Sequence, residues 1–141
     1  MSTVNHTTPD EVNAHAYVPV ARVYADASGE SHFGTWQWPA VETELAPPAP
    51  PVFVTTPEAA EQTLLLRMPS GWYCQPHPAP RRHLMVVVHG TLESTASDGE
   101  TRRFPPGSAV LVEDTTGHGH TIRTVDGEVV VAVTQLDGQA A

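Results

Sequence analysis

Nothing in this chain repeats with the period of a helix. Apolar, threonine and aromatic residues come instead in short runs, each cut off by glycine, proline or aspartate. Such runs read as β-strands, because β-branched and aromatic side chains suit a pleated surface and the intervening residues suit turns. The candidates are 17–24, 31–38, 52–55, 63–68, 83–94, 100–104, 109–113, 120–125 and 128–136. Ser28-Gly29, Asp98-Gly99 and Asp126-Gly127 punctuate them. Asp-Gly favours the positive φ of a two-residue hairpin loop, so tight antiparallel hairpins are expected at both Asp-Gly pairs. The proline-rich piece from Ala46 to Val52 lacks backbone donors and is expected to cross on the outside. About eight or nine short strands in one domain point to an all-β jelly-roll barrel.

The length supports one closed core and not two: 141 residues. A polar arm (1–15), a barrel (16–137) and a short tail (138–141) are the expected divisions. Sixteen acidic residues against seven basic ones leave a formal charge of -9, and the scattered arginines form no stripe that could follow a phosphate backbone. Nucleic acid is therefore not an expected partner. No run of about 18 apolar residues occurs, and the N-terminus lacks the basic and apolar regions of a secretion signal, so neither a membrane nor export is expected and the cytoplasm is the expected location. One cysteine, Cys74, rules out an internal disulfide, so stability has to come from packing, metal or oligomerisation.

Eight histidines are more than such a core needs. Gly71, His77, Ala79, His83 and Gly90 fall on the register G-x5-H-x-H-x3-E-x6-G of the first cupin motif, with Ala79 in place of a histidine and His83 in place of the glutamate. One histidine is lost and one gained, so a metal could still be held. The stretch Phe104 to His120 is similar to the second cupin motif. Strict counting from Gly107 would select His118, and a loop longer by two residues selects His120, preferred here because it begins a strand and has a fixed direction. His89 shares a face with His83 but lies about 20 Å further along an extended strand, so it is not an expected co-ligand. On an earlier strand His32, Gly34, Trp36 and Trp38 share a face, which adds His32 as a fourth candidate ligand beside two aromatic walls. His32, His77, His83 and His120 are thus the candidate metal ligands. Trp36, Trp38, Trp72, Tyr73 and Arg81 are the candidate pocket residues, and Trp36 is expected to influence product distribution. Glu113, Asp114 and His118 are candidates for acid-base work, while His6 and His15 read as ordinary surface residues.

The segments SHF (from Ser31), PPAPP (from Pro47), GW (from Gly71), HPAPRR (from His77), SDGE (from Ser97) and PPGSAVLVEDTTGHGH (from Pro105) resemble, in order, those of a family of small bacterial monocupins. The likeness covers roughly residues 15 to 135. Ordinary members carry glutamine where His83 stands and lysine where His118 stands. Those added histidines resemble the monocupin cyclases of aromatic polyketide biosynthesis, of the resistomycin type. The resemblance implies a single-domain cupin barrel, a histidine-dominated zinc (Zn2+) site, a small-molecule polyketide substrate with or without an acyl carrier protein to present it, and a homodimer. Imidazole also suits iron(II) and nickel, so residue type alone does not choose the metal. A poly-β-ketone needs enolisation and a polarised carbonyl to close a ring, and zinc serves both needs. An Fe(II) dioxygenase and a non-catalytic small-ligand module are the other classes left open.

Overall fold

The structure, a computed structural model, describes residues 16–137. The arm 1–15, with His6 and His15, and the tail 138–141 lie outside the described residues. No helix occurs among the described residues, so none is long and apolar enough to cross a membrane. Nine strands follow one another: β1 (Tyr17–Ala25), β2 (Ser31–Thr43), β3 (Val52–Thr55), β4 (Ala60–Met68), β5 (Tyr73–His77), β6 (His83–Ala96), β7 (Thr101–Phe104), β8 (Ala109–Val112) and β9 (His120–Leu136). The fold is all-β, as the strand pattern implies, and its sheet is mixed: β1 runs parallel to β8, while the other registered pairs are antiparallel.

The chain divides into two compact units. In the smaller (16–19 and 37–57), β2 pairs antiparallel with β3 from Ala40↔Thr55 to Thr43↔Val52. There β2 continues through Pro39, beyond Trp38, where the sequence pattern ended it. Proline supplies no N–H but keeps its carbonyl, and the Pro39 carbonyl accepts the N–H of Thr56. The proline-rich connection carries no strand between β2 and β3, as expected.

In the larger unit (20–36 and 58–137), β6 is the central strand, paired with β8 on one side and β9 on the other. Asp98-Gly99 makes the expected hairpin: Ala96 N–H donates to the Glu100 carbonyl, and β7 returns along β6. Asp126-Gly127 does not. Instead of separating two strands it lies within β9, with positive φ at both residues (55° and 135°). The local conformation suits a hairpin or a bulge equally well, and long-range pairing decides between them. Between His89↔Val130 and Thr91↔Val125, β6 advances two residues while β9 advances five, so β9 bulges outward. Gly90 sits opposite with φ 76°, and a Cβ there would lie 2.3 Å from the Glu128 carbonyl oxygen.

This bulge sets which side chains face the core. On β6 the buried positions are Met85 and Val87 before it and Leu92, Ser94 and Ala96 after it; on β9 they are His120 and Thr124 before it and Val129, Val131 and Val133 after it, with Leu136 buried at the strand's end. Both strands change parity at the same rung, so the inward face remains continuous. The core holds Val87, Leu92, Val110, Val129 and Val131, each at most 2% exposed.

Candidate functional site

Three elements bring histidines together. β5 ends at His77, β6 begins at His83, and β9 begins at His120. His77 and His120 are register partners across the β5–β9 ladder, with ring centroids 5.4 Å apart. That approach requires glycine just before His120. Gly119 has φ 73°, and a Cβ on it would lie 2.0 Å from the His77 backbone. Gly117 packs similarly on Gly29, and the His118 N–H donates to the Gly29 carbonyl.

Each ring is held through the same nitrogen. His77 Nδ1 donates to the Gln75 carbonyl at 2.9 Å, with Cys74 Sγ 3.3 Å away. His83 Nδ1 donates to the Arg81 carbonyl at 3.0 Å. His120 Nδ1 donates to Asp114 Oδ2 at 2.5 Å, both residues being buried. Because carbonyl and carboxylate oxygens only accept, the Nδ1 atoms carry protons, and in the neutral form of such a ring the lone pair resides on Nε2. Burial pushes the His83 pKa below its ordinary value, which favours that neutral form. Asp114 keeps its second oxygen, Oδ1, buried without a hydrogen-bond partner among the described residues.

All three rings face one cavity of about 210 Å³. Its walls are mostly apolar, with Leu64, Leu66 and Met68 from β4, Trp72, and Val131 and Val133 from β9. Arg81 stands in the lining, ion-paired with Glu61 of β4. The β4 residues were missed in the sequence reading, although their period-two spacing already put them on one face. Among the described residues, no group of three or more His, Cys, Asp or Glu is arranged to hold a metal ion as the side chains stand. The three histidines therefore fit a metal in donor chemistry and not in spacing.

The other candidates lie elsewhere. His32 is not with the three: its Nε2 lies 2.7 Å from Asp26 and its Nδ1 2.8 Å from Asp98, so both nitrogens are taken. Those carboxylates, Asp26 foremost, push its pKa up. The expectation that His32, Trp36 and Trp38 share a face fails because the buried positions of β2 change parity, from Ser31 and Phe33 to Trp38 and Ala40. Trp36 lines a separate cavity with Arg22, Glu58, Arg82 and Glu113, and Trp38 is buried in the smaller unit. Tyr73 is exposed and outside the cavity lining. Glu113 is buried between Arg22 and Arg82, at 2.5 and 2.6 Å, and so acts as a bridge between cations. His118 is exposed, whereas His120 faces the cavity.

No protein-family model matches the chain, and no curated protein does. Solved structures do. The DMSP lyase DddQ from Ruegeria pomeroyi is 25% identical over 65% of this chain and 44% of its own, with a TM-score of 0.46. The cupin domain of Cnp3 from Schizosaccharomyces pombe is 12% identical over 86% and 85%, with a TM-score of 0.43. A cupin domain from Bordetella pertussis is 16% identical over 74% and 100%, with a TM-score of 0.41. These likenesses are ones of fold, and two of the three structures are described as cupin domains.

Proposed function

We propose that the protein is a metal-dependent cyclase that closes and dehydrates a poly-β-ketone, with His77, His83 and His120 as the protein donors to a zinc ion. One observation carries this reading. Three imidazoles, each with Nδ1 tied to an oxygen and, among the described residues, no nitrogen or oxygen partner on Nε2 (Cys74 Sγ lies 4.0 Å from that of His77), face a single apolar cavity. Ligating imidazoles almost always donate the other N–H to a carbonyl or carboxylate in this way, which fixes both tautomer and ring direction. Zinc, when bound, supplies Lewis acidity toward a carbonyl oxygen.

The chain's own residues supply the rest. Met68, Leu64 and Val131 exclude water, which strengthens every electrostatic interaction inside. Trp72 and the β4 side chains restrict which carbon of a flexible substrate can meet which carbonyl, a selection by proximity and orientation. Asp114 holds the proton of His120 at Nδ1 and thereby the direction of that ring. The reaction needs no oxidant. A methylene between two carbonyls gives up a proton, its carbon bonds to a second carbonyl carbon, that oxygen takes up a proton, and water leaves as the ring becomes conjugated.

Elemental analysis of the tag-free protein tests this. About one zinc per chain is expected in the wild type, with metal and cyclised product both lost in His83→Ala. Unchanged metal together with unchanged product in that variant would sink the reading. Bound iron with oxygen uptake on a phenolic or thiol substrate would favour a dioxygenase. Absence of metal, with ligand binding indifferent to chelator, would favour a non-catalytic module.

A further inference from the structure

The cavity is small. A volume of about 210 Å³ compares with roughly 150 Å³ for an apolar cavity that takes benzene and with about 300–1,000 Å³ for drug-sized ligand sites. It has room for one ring or two fused rings and not for a whole polyketide chain.

Along one stretch of β9 its wall runs from polar to apolar. At one end His83 stands opposite Gln135 in the β6–β9 ladder, two residues beyond Arg81. From Gln135, β9 recedes through Val133, opposite Leu64, to Val131, opposite Leu66, which is about 13 Å at 3.3 Å per residue. Among the described residues in the lining there is no carboxylate, and Arg81 is the one permanent charge. Its partner Glu61 lies outside that lining, and both side chains of the pair are nearly half exposed (44% and 47%). Exposed pairs of this kind are weak and exchange readily, so an anion entering the cavity can take Glu61's place.

We infer that the cavity receives a compact amphipathic acid, with an apolar body of one or two rings reaching toward Val131 and Leu66 and an oxyanion, carboxylate or enolate, at Arg81 beside the three imidazoles. This rests on the functional reading above in using the same cavity and histidines, and it narrows that reading. The cavity holds the ring-forming segment, and the remainder of a longer chain stays outside.

Calorimetric titration of the full-length protein tests it, in chelator-treated and zinc-loaded samples, with 2-naphthoate, neutral 2-naphthamide, cationic 2-naphthylmethylamine and the acidic diketone benzoylacetone as probes. In the chelated protein 2-naphthoate should bind about ten-fold or more tighter than the amide, the scale of a hydrogen bond to a charged group. Arg81→Met should remove the difference, and Glu61→Gln, a surface change that removes the competing carboxylate, should tighten naphthoate. Benzoylacetone taken up as its ultraviolet-absorbing enolate would assign the oxyanion to an enolate. Its uptake only as the neutral form, with naphthoate still dependent on Arg81, would assign it to a carboxylate. Equal affinity for acid and amide, preference for the amine, indifference to both variants, or equally tight binding of three-ring 9-anthroate would overturn the inference. An acid preference in protein that never retains zinc upholds it while the metal reading fails. Zinc retained without an acid preference overturns the inference alone.

Discussion

His32 and His83 are the same residue type in opposite electrical surroundings. His32 lies between Asp26 of the β1–β2 turn and Asp98 of the β6–β7 turn, and those carboxylates push its pKa up. It is a cation that fastens two turns. His83 faces an apolar cavity, where burial pushes its pKa down, and a backbone carbonyl takes its Nδ1 proton. It is a neutral ring with a lone pair to give. The comparison teaches that histidine number and spacing do not make a metal site. What counts is whether the surroundings leave a nitrogen free, and carboxylates on both sides leave none, whereas one acceptor on one side leaves Nε2.

The largest effect that sharpens this contrast is expected at His120. It pairs with Asp114 while both are buried, at 5% and 0% side-chain exposure. His120→Ala strands the buried Asp114 carboxylate without the N–H that it accepts and should cost about 1–3 kcal/mol, read as a lower midpoint in urea unfolding. His32→Ala removes a partner from two exposed carboxylates that water can solvate, and its loss should be clearly smaller. Equal losses in the two variants would show that the buried pair is no more demanding than the surface clamp.

A pH series separates the two regions by sign. Because the folded pKa of His32 lies above its ordinary 6.5, the clamp's contribution is complete below that value and fades as pH rises through the raised folded value. Asp26 is held below its ordinary 3.8, chiefly by His32, so its share is present above 3.8 and lost as pH falls through the depressed value. The clamp is therefore strongest between the two ordinary values. His83 behaves oppositely: with a folded pKa below 6.5, the unfolded chain binds the proton first, and stability falls as pH drops below 6.5. The difference in unfolding midpoint between wild type and His32→Gln should be larger at about pH 5.5 than at about pH 8.5. For His83→Gln the wild type should instead compare less favourably at the lower pH. Matching slopes for the two variants would erase the distinction.

Much of the architecture was legible because alternation is a local signal. The runs that became β3, β4, β6 and β8 are visible from residue types alone. β5 was not, since Pro76 and Pro78 around His77 read as loop, and only its pairing with β9 makes the segment a strand. The continuity of β9 was not legible either, because positive φ at Asp126 and Gly127 suits a hairpin and a bulge alike and the choice belongs to β6. For the site, spacing singled out His77 and His83, and position at a strand start singled out His120 over His118; the fold brings those three to one cavity. One of the two partners of His32 is Asp98, 66 residues away in sequence, and no local pattern reports such a contact. Trp36 was misplaced for a different cause: a parity change inside β2 turns it away from the face it would share with Trp38 in a regular strand.

The smallest expected effect concerns that tryptophan. Trp72 lines the cavity with the three histidines, whereas Trp36 lines the one that holds the Arg22–Glu113–Arg82 bridge. If shape in the histidine cavity selects the ring that forms, Trp72→Ala widens the space around the substrate and should change the ratio of cyclised products several-fold, as a loss of positioning does. Metal content should not change, because an indole is not a ligand. Trp36→Ala should leave both the ratio and the metal content at wild-type values, since its ring is 39% exposed and touches a different cavity. A shift in products from Trp36→Ala with none from Trp72→Ala would move the substrate to the arginine–glutamate cavity and take the selecting role away from the histidine side.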